Sequence, residues 1–282
     1  SKRKKQSGPQ GRRRRGDPMT RFCFIFLLLM VYSFLGWCGE MVYCSIGQRK
    51  LCEKRGFLNG PICPIYGHGA LVVLLCLHGG CKNPLLTFLW GALLTSIVEY
   101  ITSYIMEKLF HMRWWDYSQY KFHINGRVCL LNSTLFGLAS VCLCHFANPP
   151  VTAWMTEVFT SGVGVPLSLI LLLVYLTDIV LSVRSAIQIG SRLAKLHAIH
   201  DELAGKLESL KAEQHQNLEA HRHRLESVRA EAQQKLRTLY DRQDFFERRL
   251  LHSFPTLRSS RHPEALSKLR EYLASRKNKS ET

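Results

Sequence analysis

Five stretches of this chain are too apolar to lie in water along their whole length: residues 22–46, 62–79, 84–106, 128–147 and 164–183. The first holds a single charge, Glu40; the third holds Glu99; the fifth holds Asp178; the second and fourth hold none. A bilayer core about 30 Å thick needs roughly 20 mostly apolar residues to be crossed by a helix. The expected fold class is therefore an all-α membrane protein with about five transmembrane helices. The second stretch is the least regular, with Pro64 and three glycines. The first is too long, and Glu40 too deep in it, for a secretory signal. Charge is segregated. The net charge is +17, and residues 184–282 alone hold 20 Lys/Arg and 13 Asp/Glu. This pattern excludes a single soluble globule, a disulfide-stapled secreted domain and a mostly disordered chain.

Basic residues set the orientation. Residues 47–61 contain Arg49, Lys50, Lys54 and Arg55, and residues 107–127 contain Lys108, Arg113, Lys121 and Arg127. The connection at 80–83 has only Lys82, and 148–163 has no basic residue. Both long loops and the charged C-terminal tail are expected on the cytoplasmic side of the cell membrane. The side of the N-terminus stays open, because Lys2, Lys4, Lys5 and Arg12 to Arg15 oppose that assignment. All ten cysteines lie between residues 23 and 144, as small fillers of membrane helices rather than a disulfide framework.

The chain repeats itself. Leu58-Asn59-Gly60-Pro61-Ile62-Cys63 matches Ile124-Asn125-Gly126-Arg127-Val128-Cys129. Each copy follows a helix with one acid, Glu40 or Glu99, and precedes another helix. The expected domains are a basic disordered tail (1–21) and a duplicated four-helix membrane domain (22–147, repeats 22–79 and 84–147). A connector and fifth transmembrane helix (148–183) come next, then a coiled-coil helix (184–250) and a basic flexible tail (251–282). Glu40 shares a helix face with Ser33, Gly36, Trp37 and Cys44; Glu99 shares one with Ala92, Thr95, Ser96, Thr102 and Ser103. Small and hydroxyl residues let membrane helices approach closely, so both acids should face the bundle interior. An intramembrane carboxylate costs at least about 2.5 kcal/mol unless paired, protonated or hydrated. Two readings are open: a polar cavity facing the basic loops, or structural acids bonded to neighbouring groups.

The cavity reading takes in Glu40, Glu99, Asn59, Asn125, Arg127, Tyr66 and His68. Asn-Gly before an apolar helix is a turn or a helix start that Asn caps. Arg127 either reaches out to lipid phosphate or turns inward to pair with Glu99 or Glu40. Arg113, Trp114, Trp115, Asp116 and Tyr117 form either a lid over the cavity or an anchor in the headgroup belt. No catalytic set, cofactor motif or metal site is expected. His221 and His223, for example, are two apart on a helix and diverge. From residue 184 onward, apolar positions spaced by three and four (Ile189, Leu193, Leu196, Leu203, Leu207, Leu210, then Leu218, Leu225, Val228) describe a long helix with a coiled-coil seam. A stutter falls at Gln214. The seam suits self-association into a homo-oligomer. The basic ends suit membrane lipid, and no nucleic-acid recognition motif is present.

Three motifs carry a family resemblance. They are Gly56-Phe57-Leu58-Asn59-Gly60-Pro61-Ile62-Cys63-Pro64-Ile65-Tyr66-Gly67; Glu107-Lys108-Leu109-Phe110 running into Arg113-Trp114-Trp115-Asp116-Tyr117-Ser118; and Asn125-Gly126-Arg127-Val128-Cys129-Leu130. With Tyr32-Ser33-Phe34-Leu35-Gly36-Trp37 and Glu40, they resemble the bacterial ABC-transporter type IV membrane family over residues 22–150. The Trp-Asp-Tyr-Ser piece also resembles a small group of eukaryotic transmembrane proteins. In Ser133-Thr134-Leu135-Phe136-Gly137, Phe136 stands where the family pattern has Trp. The resemblance implies a multi-span inner-membrane permease. No Gly-x-x-x-x-Gly-Lys-Ser/Thr loop occurs, so an ATP-driven role implies a separate ATPase subunit. Two other readings remain. One is an intramembrane enzyme acting on a lipid or isoprenoid headgroup, with Asp116, His68 or a Glu as acid/base and Arg127 on phosphate. The other is a membrane-anchored coiled-coil scaffold.

Overall fold

Residues 17–48, 56–77, 82–212, 218–241 and 245–280 are described by a computed structural model. The tail basics at 2–15, the loop basics Arg49, Lys50, Lys54 and Arg55, and the stutter at Gln214 lie outside the described residues, as do the side chains of Leu207, Leu210, Leu218, His221 and Leu225. The order is α1 (Pro18–Gln48), α2 (Pro64–Cys76), α3 (Pro84–Phe110), β1 (Met112–Arg113), β2 (His123–Ile124), β3 (Val128–Cys129) and α4 (Leu130–Cys142). A π-helical turn (Leu143–Ala147) leads into α5 (Asn148–Thr160), α6 (Gly164–Ala212), α7 (Leu218–Asp241), α8 (Phe245–Ser253), β4 (Arg258–Ser259) and α9 (Pro263–Ser280).

Among the described residues, four helices are long and apolar enough to cross a membrane: Pro18–Ile46, Pro84–Phe110, Leu130–Thr160 and Gly164–Lys206. The second apolar stretch yields only the 13-residue α2, about 20 Å at 1.5 Å per residue. Proline explains the shortfall. Pro64 starts α2, and neither it nor Pro61 can supply the N–H that a longer helix would need. Residues 148–163 are not a loop either. α4 continues through the π turn into α5, the register slipping just before Pro149 and Pro150, which lack amide donors.

The bundle packs through small residues. α2 runs antiparallel to α1, so close that a methyl group at Gly67 would collide with Ser33 and one at Gly36 with Tyr66. α4 runs antiparallel to α3, with Gly91 against Ser140, Gly137 against Phe88, and the hydroxyls of Ser96 and Ser133 2.7 Å apart. α6 lies parallel to α1, where the Ser168 hydroxyl donates to the Cys23 carbonyl at 3.3 Å and Phe26 meets Tyr175. Leu27, Leu28, Tyr32 and Met155 form a buried core at the end where α1 begins. Large apolar side chains such as Leu173 and Val180 point outward, as a lipid-facing surface requires.

The opposite end carries a second core. Met112 and Trp114 are buried with Ile189, Leu193 and Leu196 of α6, Leu250 and Leu251 of α8, Leu257, and Leu266 and Leu269 of α9. α7 folds back antiparallel along α6, tied by Lys235–Glu202 (3.6 Å), Lys206–Glu231 (3.9 Å) and Arg192 Nη1 donating to the Leu239 carbonyl at 2.6 Å. Where a single long helix was expected at 184–250, the described residues form two antiparallel helices, α6 and α7, and α8 begins at Phe245. The stretch expected as a flexible end, 251–282, instead takes in the end of α8, β4 and α9; β4 pairs antiparallel with β1, Met112 opposite Ser259.

Candidate functional site

Glu40 and Glu99 are each held by a tyrosine from another element. Tyr66, in the first turn of α2, donates its hydroxyl to Glu40 Oε2. Tyr117, in the loop after β1, donates to Glu99 Oε1 at 3.1 Å. Glu40 is half-buried, and its Oε1 also meets the Cys44 thiol at 3.5 Å. Glu99 is 4% exposed, and its Oε2 is buried with no hydrogen-bond donor among the described residues. Neither acid has a Lys, Arg or His partner among the described residues. Burial raises the Tyr117 phenol well above its ordinary value, and the nearby carboxylates push it further, first Glu99 and then Glu40. The two acids thus accept from two different phenols, Glu40 from Tyr66 of α2 and Glu99 from Tyr117 of the loop.

Asn125 and Arg127 stand beside this pair, not in it. Asn125 and Gly126 both take positive φ (51° and 66°) and are the central residues of a turn that Arg127 N–H closes onto the Ile124 carbonyl at 3.0 Å, within the three-residue connection between β2 and β3, a conformation in which Asn-Gly excels. Asn125 is therefore a hairpin residue and does not cap α4. Its Nδ2 donates to the Tyr100 hydroxyl at 3.0 Å. Arg127 turns inward, to neither Glu99 nor Glu40 but to Glu107 at 2.8 Å, its guanidinium over the rings of Tyr100 and Tyr104. Arg113 shares Glu107 at 3.3 Å.

Asn59 belongs to a different cluster. Its backbone N–H and Nδ2 both donate to Asp178 Oδ1, at 2.8 and 2.7 Å, and the Gly60 N–H donates to Oδ2 at 2.7 Å. From the other side Arg249 of α8 donates to the carbonyls of Gly56, Phe57 and Leu58 at 3.2, 2.8 and 2.8 Å. Cys63 N–H closes the segment onto the Ser33 carbonyl at 3.0 Å. Irregular backbone beside apolar helices is stable only when such groups are satisfied, and here one acid and one arginine do so. His68 is exposed on the outer face of α2, its Nδ1 2.7 Å from the Pro64 carbonyl.

The 113–117 loop is anchored in the second core by Trp114. Trp114 is 2% exposed and packs edge-on against Phe57, Phe110 and Phe254. Trp115 donates to the Arg127 carbonyl at 3.1 Å. Asp116 accepts from the Ser118 hydroxyl at 2.6 Å and pairs with Arg258 at 2.9 Å and Arg113 at 3.8 Å. Of the loop, only Tyr117 reaches the acids. Among the described residues no group of three His, Cys, Asp or Glu side chains is placed to hold a metal.

One family model, described as "Putative ABC-transporter type IV", matches residues 27–183, more than half of the chain. The chain belongs to this family. No curated protein and no solved structure matches it. The type IV match begins within α1, takes in α2 to α5 and both Glu40 and Glu99, and stops within α6 at residue 183. The chain is a multi-pass membrane protein of a transporter family. The second core joins this type IV part to the C-terminal helices, since Trp114 and Met112 are buried against α8 and α9. Asp178, Glu107, Arg249 and Arg258 complete these networks and were not among the expected site residues. Asp178 had a signal, as a lone acid in an apolar stretch like Glu40 and Glu99. Glu107 heads one of the motifs that carry the resemblance, while Arg249 and Arg258 sit among many charges and nothing local distinguishes them.

Proposed function

We propose that this chain is the permease-like membrane subunit of a transporter, with a polar intramembrane site formed by Glu40 and Glu99 and their tyrosine partners. One observation carries the reading: Glu99, almost fully buried, accepts from Tyr117 on one carboxylate oxygen and keeps the other without a donor among the described residues. A structural acid would spend both oxygens on neighbours, as Asp178 does. Arg127 and Asn125 border the site, and the 113–117 loop closes it from the tail side. Asn59 supports it indirectly, by fixing the segment that delivers Tyr66. His68 faces outward and has no part in it.

The tail end of the bundle faces the cytoplasm of the cell membrane, in keeping with Lys108, Lys121 and the basic C-terminal helices. An internal duplication accounts for two parallel helices, α1 and α3, that each carry an acid and precede an antiparallel helix. The chain crosses five times, the second crossing made by α2 together with the 56–63 segment. ATP-driven transport draws on a separate ATPase chain. The family suggests that partner, and the α6–α9 domain offers the surface for it. Homo-oligomer formation through exposed helix faces remains compatible with this arrangement.

The test is purification of the full chain from native membranes in mild detergent. An ATP-hydrolysing chain in stoichiometric amount supports the subunit reading. A preparation free of ATPase activity, stable and monodisperse, contradicts it.

A further inference from the structure

We infer that the β2–β3 hairpin and the C-terminal end of α3 form a docking site for an anionic phospholipid, whatever the chain transports. Basic residues of the two elements take the phosphate, and Phe122 and Ile124 meet the acyl chains. Close contacts knit the two elements together. Asn125 Nδ2 of the hairpin donates to the Tyr100 hydroxyl at 3.0 Å. The Arg127 guanidinium lies 5.6 Å from the Tyr100 ring centroid and 5.2 Å from that of Tyr104. Lys108 Nζ stands 5.6 Å from the same Tyr104 centroid. One aromatic ring is thus shared by two cations, one from each element.

Positive charge is in surplus there. Glu107 Oε2 serves both Arg127, at 2.8 Å, and Arg113, at 3.3 Å. Asp116 is likewise divided between Arg258, at 2.9 Å, and Arg113, at 3.8 Å. Three guanidiniums therefore meet two carboxylates. Lys108 and Lys121 are exposed, and neither has a carboxylate partner among the described residues. Arg127 is 8% exposed, and its Nε and Nη1 meet no acceptor among the described residues. A cation so placed favours a further negative charge close by. Lys108 and the half-exposed Tyr104 leave the approach open from outside the bundle. Lys108 makes the direct contact to phosphate, and Arg127 supplies charge behind it.

The surroundings select a lipid as the bearer of that phosphate. Phe122 is 79% exposed and Ile124 62%. Phe122 also takes a φ of 56°, a region that bulky side chains avoid, and its carbonyl accepts from the Leu130 N–H at 3.1 Å. Strain that holds an aromatic ring out of the fold points to function at that position, and acyl chains give such a ring the apolar surroundings that water denies it. Depth agrees. The 27 residues of α3 reach about 40 Å at 1.5 Å per residue, against a hydrocarbon core of about 30 Å. With Pro84 at one face of the core, the last two turns, from Tyr104 onward, stand in the headgroup layer. Ile97, Ile101 and Ile105 point outward along α3 just below them, as an acyl chain requires. A zwitterionic lipid brings its own cation and leaves the surplus uncompensated; an anionic one does not.

The experiment reconstitutes the full chain in phosphatidylcholine vesicles with a trace of spin-labelled phosphatidylglycerol or spin-labelled phosphatidylcholine. The anionic lipid should be immobilised by the protein at least about threefold more than the zwitterionic one. Lys108→Gln combined with Lys121→Gln, both surface changes, should bring that ratio close to one. Lys195→Gln combined with Lys268→Gln, exposed basic residues of α6 and α9, should leave it unchanged. In a cysteine-free chain, a nitroxide at Phe122→Cys should be relaxed more by oxygen than by a water-soluble nickel chelate, as acyl-chain depth demands. Equal immobilisation of the two lipids overturns the inference. So does a ratio that survives the Lys108 and Lys121 changes, or one lost equally with Lys195 and Lys268. A label at position 122 relaxed mainly by the nickel chelate overturns it as well.

Discussion

At the scale of single residues, polar side chains near the apolar helices do two different jobs. Asp178 spends both oxygens on the backbone of Asn59 and Gly60, so it is structural. Removing it takes the acceptor from two part-buried N–H groups and leaves the Asn59 amide only the Ser182 hydroxyl at 3.1 Å. Charge-assisted hydrogen bonds contribute about 1.5–3 kcal/mol, and an orphaned donor costs about 1–3 kcal/mol. Asp178→Ala should therefore destabilise the protein by about 2–4 kcal/mol, read as a lowered unfolding temperature in detergent. Asp116 gives a pH signature. Burial pushes its carboxyl up, but the Ser118 hydrogen bonds and the charges of Arg258 and Arg113 outweigh that and hold it below the usual carboxylate range. A depressed folded value contributes stability above the unfolded value, about 3.9, and loses it as pH falls through the folded one. Amide exchange in residues 112–118 should thus quicken below about pH 4. Asp116→Asn should exchange faster already at neutral pH and lose that acid step. An acid step unchanged in Asp116→Asn would assign it to another group.

At the scale of elements, hydropathy located the crossing helices because lipid demands about 20 apolar residues whatever the fold. Seam spacing likewise marked α6 and α7 as helical. Local pattern could not show that α7 folds back, since an apolar stripe is satisfied equally by another chain or by its own. Nor could it show that Trp114 enters a core. The tandem tryptophans have the composition of a headgroup belt, and only the distant Leu250, Leu266 and Phe254 make them interior. Both acids were legible as a pair because charge in apolar helices is rare. Their tyrosine partners come from outside those helices and were legible only as candidates. The α1–α2 contact depends on Gly67. Gly67→Val would force Ser33 and Leu29 aside, at about 1–3 kcal/mol or more for overpacking. It should also loosen Tyr66 from Glu40. Thermal unfolding in detergent reads the first effect. A Gly67→Val protein as stable as the parent would mean that the two helices are not in this contact.

At the scale of the whole molecule, two cores meet at one wall. The membrane bundle supplies the acids. The helical domain after it holds the 56–63 segment through Arg249 and the 113–117 loop through Trp114 and Arg258. Tyr66 and Tyr117 lie just beyond those two attachments, so any shift of α8 or α9 relative to the bundle moves both phenols against the acids. That arrangement suits a transporter subunit whose distal domain receives a partner's motion.

Water at the acid pair tests this account most directly. In a cysteine-free full-length background, Glu99→Cys, Glu40→Cys and Ile97→Cys are each exposed in membranes to a small charged methanethiosulfonate, which reacts only with a thiolate in contact with water. The account predicts labelling at positions 40 and 99 and none at position 97, whose side chain points outward from α3. Silence at both acid positions, equal to that at 97, would contradict it.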